Sequence, residues 1–124
     1  MAPAGCTMSG GNVFGFIKEI DSIELNRWLE DETKSFRIID VRQMQEISHG
    51  TVAGAIPMPL ATLPARMHEL SREEELVFIC RSGARSGQAC QFLQQQGYDK
   101  VYNLRGGMIG WAHNSLPITL PQIA

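Results

Sequence analysis

The sequence predicts an α/β domain built on a central, mainly parallel sheet with helices on both faces. Two patterns carry that prediction. Short apolar runs alternate with longer segments of helical periodicity along most of the 124 residues. The strongest run, Leu76-Val77-Phe78-Ile79-Cys80, is apolar at every position, which suits a strand covered on both sides, as parallel strands are.

The elements follow in order. Residues 1–13 are rich in Gly, Ser and Pro and read as a loose tail, and 14–124 as one domain. Phe16–Ile20 is a short apolar run and the first strand. Asp21 then suits an N-cap with Glu24 three residues on, and Ile20 and Leu25 are spaced as a hydrophobic staple. Leu25, Trp28 and Leu29 fall on one helical face. Phe36–Val41 reads as a buried strand, and Gln43–Ser48 as a short helix. The segment 54–59 is extended, but Pro57 and Pro59 exclude a regular central strand. Thr62 is placed to cap a helix through Leu70, with Leu63, Met67 and Leu70 inward and Pro64 tolerable in its first turn. After the Leu76–Cys80 strand, a helix from about Ala84 to Gln96 turns Ala89, Phe92 and Leu93 inward and stops at Gly97. Lys100–Leu104 is the last strand and Met108–His113 the last helix.

Composition excludes several function classes. The net charge of -2 is no generally basic footprint for nucleic acid. No apolar run is long enough to span a membrane, and the N-terminus lacks the basic and apolar regions of a signal peptide, so a cytoplasmic, reducing location is expected. Cys6, Cys80 and Cys90 have no disulfide-framework spacing, and no Cys-x-x-Cys or His-x-x-x-His suggests a metal. The charge is unevenly distributed: residues 1–79 hold 7 Lys/Arg against 12 Asp/Glu, whereas 80–124 hold Arg81, Arg85, Lys100 and Arg105 against Asp99. Ordinary scatter on a solvated surface is the plain account of this imbalance, and a face that receives an anion is the sharper one.

The basic segment begins at a thiol. Cys80 ends the strongest strand, where ligands bind in open parallel sheets, and Arg81-Ser82-Gly83-Ala84-Arg85-Ser86-Gly87 leads into the next helix. Small residues let the loop turn its N–H groups inward, the helix N-terminus adds partial positive charge, and two arginines flank the loop. All three favour the nucleophilic thiolate. Against this stands a buried, inert cysteine, the ordinary reading of a cysteine at a strand end.

Asp40-Val41-Arg42 with Glu46, Gly50, Gly54-Ala55-Ile56-Pro57, Cys80-Arg81-Ser82-Gly83-Ala84-Arg85-Ser86, and Leu104-Arg105-Gly106-Gly107 with Trp111 together resemble the single-domain rhodanese family. The resemblance covers about residues 14 to 117. Two positions depart from it: Thr51 stands where the family usually has His, and Ala53 where it usually has Pro. Both departures fall in a structural turn.

The resemblance implies a five-stranded, mainly parallel sheet and a sulfurtransferase. Cys80 would take a sulfane sulfur from a donor such as thiosulfate, hold it as a persulfide and pass it to cyanide or a thiol, with a protein as a further candidate acceptor. Arg81, Ser82, Gly83, Ala84 and Arg85 would bind the anionic donor and the persulfide, while Asp40, Arg42 and Ser86 would support the loop. No metal or organic cofactor is implied, and no nucleic-acid or membrane partner.

Two alternatives stay open. Phosphatases and arsenate reductases of the same fold use a longer Cys-x5-Arg loop, whereas the spacing here is Cys-x4-Arg with Ser86 at the later position. A binding or regulatory module is the other alternative, but such modules typically lack the cysteine. Gly106 and Gly107 read as a close backbone approach rather than a phosphate loop. Trp28 and Trp111 read as core or rim packing, His49, His68 and His113 as surface residues, and Cys90 as a small buried hydrophobe.

Overall fold

The computed structural model describes residues 17–121. The expected tail (1–13), Phe16 and Cys6 lie outside them. Five strands, β1 (Lys18–Ile20), β2 (Arg37–Asp40), β3 (Ile56–Pro57), β4 (Leu76–Ile79) and β5 (Val101–Leu104), form one parallel sheet in the order β1-β5-β4-β2-β3. The helices are α1 (Ser22–Glu30), α2 (Met44–Ile47), α3 (Leu63–Arg66), α4 (Ala84–Gln95) and α5 (Gly107–His113). The proline-bearing segment pairs only at the sheet edge, as β3, where a missing N–H is tolerated.

The continuous apolar run at 76–79 is explained by the layers. Leu76 and Phe78 join Ile39 and Val101 on one face, packed against Leu63 of α3 and Ala89, Cys90 and Leu93 of α4. Val77 and Ile79 join Ile38 and Leu104 on the other, against Leu25 of α1 and Met108 and Trp111 of α5. All four β4 side chains are buried, and each contributes about 1.5–3 kcal/mol relative to exposure. Cys80, the first residue past β4, is thereby anchored at the centre of the sheet.

Four local expectations need correction. The helix from Thr62 to Leu70 is broken: 3₁₀ turns at Leu60–Thr62 and Met67–Glu69 flank the single α-turn of α3. The Tyr98 hydroxyl lies 3.0 Å from the Met67 carbonyl and 3.1 Å from that of Leu70, engaging groups that a continuing helix would use. Thr62 does not cap α3; its hydroxyl donates to the Pro59 carbonyl instead. On α1, Leu29 is exposed, and the buried face is Ser22 and Leu25, with Trp28 partly covered. The Asp21 cap is present, its carboxylate accepting from the Glu24 N–H at 2.9 Å. The Glu24 side chain, however, turns to Arg27 and the Trp28 indole rather than back to the cap.

Candidate active site

β2 and β4 are neighbours, but the chain leaves them in opposite directions, through α2 to the edge strand β3 and through α4 to β5. That divergence opens a crevice at their carboxyl ends, the usual ligand position in such sheets. It measures about 360 Å³ and is lined by Arg42, Glu46, Arg81, Met108, Ile109 and Ala112. Charged groups form one side and the apolar residues of α5 the other.

Cys80 is fully buried, yet polar donors surround its sulfur. The Gly83 N–H donates to Sγ at 3.0 Å and the Ser86 hydroxyl reaches it at 3.2 Å. Gly83 can offer its N–H from there because it adopts φ +106, a left-handed conformation that favours glycine, at the N-cap of α4. Burial pushes the Cys80 thiol up. The Ser86 hydroxyl and the N–H groups of Ser86, Gly83 and Ser82 push it down by more, so the net shift is below the ordinary 9.0. The opposite holds at Cys90, where burial pushes the thiol up to about 12 with the Glu19 and Cys80 charges adding to it. Two equally buried cysteines thus behave oppositely, and the loop donors make the difference.

The arginines have different surroundings. Arg85 is clamped by Glu46 through two parallel bonds of 2.7 and 2.8 Å, and the same contact holds the Glu46 carboxyl down at about 2. Arg81 is exposed, and its guanidinium has no hydrogen-bond or ion-pair partner among the described residues. Its carbonyl accepts from the Ile109 N–H at 3.0 Å, while the Cys80 carbonyl accepts from the Met108 N–H at 2.8 Å. The N-terminus of α5 therefore holds the first two carbonyls of the loop. Gly107 makes this docking possible: a β-carbon there would lie 2.5 Å from both of those oxygens. Ser82 and Ala84 are exposed on the loop.

Asp40 and Arg42 form a buried ion pair at 2.7 Å. Their other bonds do not run to the loop. Arg42 donates to the Gly50 carbonyl at 2.7 Å, and the Thr51 hydroxyl donates to Asp40 at 2.7 Å. The expected loop support from these two is thus a bracing of the neighbouring turn, with Arg42 reaching the crevice wall. Thr51, one of the two departures from the family pattern, is a working part of that brace, and Ala53, the other, is exposed. Ser86 does bond the sulfur directly.

Two residues of the site carried no role in the sequence reading. Glu46 was visible in the motif but not its pairing with Arg85, which spans 39 positions. Asn103 on β5 accepts a short hydrogen bond from Ser86, and its amide nitrogen donates to the Gly83 carbonyl at 3.1 Å. A buried Asn in the strand Val-Tyr-Asn-Leu is the signal that could have flagged it, since Asn is a poor strand former.

Comparison with known proteins agrees with this geometry. The model of the rhodanese-like domain matches residues 22–114. A sulfurtransferase from Allochromatium vinosum is 45% identical over 106 residues, which are 86% of this chain and 98% of that protein. A thiosulfate sulfurtransferase, GlpE, from Glaesserella parasuis is 29% identical over 93 residues, covering 75% of this chain and 86% of its own length. A solved rhodanese-like domain protein from Staphylococcus aureus matches with a TM-score of 0.77 at 28% identity, over 86% of this chain and 100% of that one. With a cysteine held by loop donors at the head of the central strand and a domain match over most of its length, this chain belongs to the rhodanese-like domain family.

Proposed function

We propose that this chain is a sulfurtransferase that carries sulfane sulfur from thiosulfate, or a similar small anionic donor, to cyanide or a thiol through a persulfide on Cys80. The observation that carries the reading is the set of N–H and O–H donors converging on one sulfur atom within a short loop. In the first step the Cys80 thiolate attacks the outer sulfur of thiosulfate; a sulfur–sulfur bond forms to Cys80 and the bond to the sulfonate sulfur breaks. Sulfite leaves with the electron pair, and the cysteine persulfide keeps one negative charge. In the second step the acceptor attacks the outer sulfur and the Cys80 thiolate leaves, closing a double displacement.

Arg81 is the group we assign to the dianionic donor and departing sulfite, since its guanidinium is exposed and unpaired among the described residues. Arg85, oriented by Glu46, lies within electrostatic reach of Cys80, and the backbone of Ser82, Gly83 and Ala84 completes the proposed donor site. The names of the sulfurtransferase relatives support the reaction, and the thiosulfate sulfurtransferase name supports the donor. Among the described residues no helix is long and apolar enough to cross a membrane. We place the reaction in the cytoplasm, where reducing conditions keep Cys80 free.

The test is intact mass after incubation with thiosulfate. A gain of one sulfur atom that disappears in Cys80→Ser is expected. No adduct with thiosulfate or with any other sulfane donor would overturn the reading. Turnover of a generic phosphate ester without sulfur loading would favour the phosphatase alternative instead.

A further inference from the structure

The Ser86 hydroxyl has one proton and two acceptors within reach, Cys80 Sγ at 3.2 Å and Asn103 Oδ1 at a shorter distance. Which of them receives that proton depends on how the Asn103 amide is oriented, and two neighbours settle the orientation. The amide nitrogen faces the Gly83 carbonyl at 3.1 Å and a Glu19 carboxylate oxygen at 3.4 Å. A carbonyl and a carboxylate only accept, so the NH₂ end must face them and the oxygen end must face Ser86. With Asn103 locked this way, its Oδ1 and Cys80 Sγ compete for the single Ser86 proton, and the shorter contact to Oδ1 favours Asn103 while the sulfur is a neutral thiol.

That arrangement suits the protonated thiol. The thiolate needs the reverse, with the Ser86 proton turned onto Sγ and the bond to Asn103 given up. We propose that Asn103 is a positioning residue for Cys80: by competing for the Ser86 hydroxyl proton, it sets the balance between the thiol and thiolate forms of the sulfur. Ser86 is then a two-position switch. It donates to Sγ while the free enzyme holds a thiolate, and returns to Asn103 once Sγ carries the second sulfur and the negative charge has moved outward. This inference rests on the proposed persulfide chemistry for its meaning in the cycle, but the proton competition itself needs no sulfur donor.

Charged groups near the sulfur come from every neighbouring element. Asp40 and Arg42 stand at the end of β2, Glu46 on α2, Arg81 in the loop and Arg85 on α4. Glu19 on β1 lies behind Asn103 and pairs with Arg105 at 3.3 Å. A change at Ser86 leaves all of them in place, whereas a change at Asn103 also removes the amide partner of Glu19, which the Ser86→Ala background accounts for. A shift that depends on the Ser86 hydroxyl therefore cannot be assigned to them.

The test is the pH titration of Cys80, read as thiolate ultraviolet absorbance against a Cys80→Ser blank and as the mass-resolved rate of iodoacetamide labelling. Neither measurement involves sulfur transfer, so failure here is separate from failure of the proposed function. Asn103→Leu, similar in shape but without the acceptor, is expected to free the hydroxyl for the sulfur and lower the midpoint by about 1 pH unit, the shift one hydrogen bond to a charged group can produce. Asn103→Val, which also lacks the acceptor, adds no charge and suits a strand, is expected to lower it likewise, which keeps the test open should the Leu variant not fold. In a Ser86→Ala background the Leu substitution is expected to leave the midpoint where Ser86→Ala alone puts it. A Leu variant with an unchanged or higher midpoint, or a shift of equal size in the absence of the hydroxyl, would sink the proposal.

Discussion

Gly107 and Cys80 meet backbone to backbone, so closely that a single methyl on Gly107 would stand 2.5 Å from the Cys80 carbonyl oxygen. This approach lets the Met108 and Ile109 N–H groups take the carbonyls of Cys80 and Arg81. With those carbonyls bonded to α5, the N–H groups farther along the loop are left to face the sulfur. The loop after Cys80 is shaped from outside as well as by its own glycine.

Gly107→Ala is expected to cost about 1–3 kcal/mol from the left-handed φ of +56 alone, with the clash adding to it. Sulfur loading on Cys80 should fall as well, because the loop is displaced. Gly54→Ala is the control: its φ is +81, but a methyl there meets nothing within 4 Å. Urea unfolding should show a modest loss for the control and intact-mass loading should show none. Equal effects on loading at both glycines would refute the argument from close approach.

The Glu46–Arg85 pair has a defined acid limit. Glu46 is held at about 2 against an ordinary 4.5, first by its bonds to Arg85. A depressed carboxyl contributes stability above its unfolded value, and that contribution fades as pH falls from about 4.5 toward 2. Each partner keeps about a third of its side chain exposed, so solvent screening limits the pair to about 1 kcal/mol. In Glu46→Gln the acid-side slope of stability over that window should flatten. Thermal melts at a series of pH values would check it, and an unchanged slope would count against the pair.

Reagent size should separate the two described thiols from each other and from ordinary exposed cysteines. Cys90, pushed up to about 12, stays protonated and buried at neutral pH, so peptide mapping should find it unlabelled in the folded protein. Cys80 is below the ordinary thiol value but also without exposed surface. Small reagents such as iodoacetamide should label it many times faster than bulky maleimides. Similar rates for both reagent sizes would mean the loop opens freely.

The brace under the crevice should respond in a graded way. Thr51→Val removes the hydroxyl donor to buried Asp40 and is expected to cost about 1–2 kcal/mol. Arg42→Ala leaves the Asp40 carboxylate buried without its partner and should cost more, about 3–5 kcal/mol. Chemical denaturation of both variants gives the comparison, and the reverse order would contradict the buried-pair reading.

How far the sequence could be read depended on whether the interactions were local. Leu76–Cys80 and the glycine-bearing loop after it were legible because an apolar run, a sharp turn and a helix start all lie within about a dozen residues. The Asp21 cap was legible for the same reason. The helix expected over 62–70 was not, because the groups that interrupt it come from Tyr98, some 30 positions away. Asp40 and Arg42 were legible as members of a motif, whereas their partners Gly50 and Thr51 follow from how the chain folds back. Glu46 and Asn103 were missed as working residues for this reason: the first reaches Arg85 across 39 positions and the second reaches Ser86 across 17.

The docking of α5 on the loop also bears on how the molecule fails under stress. Cys80 follows a strand whose side chains are all buried, but the carbonyls that shape its surroundings are held by a helix of only seven residues on the flank of the sheet. Short flanking elements open locally at lower free energy than central strands do. Warming or mild denaturant should therefore release α5 and silence the thiol while the sheet is still intact. Activity would be lost before cooperative unfolding, and would return on cooling without any refolding of the sheet.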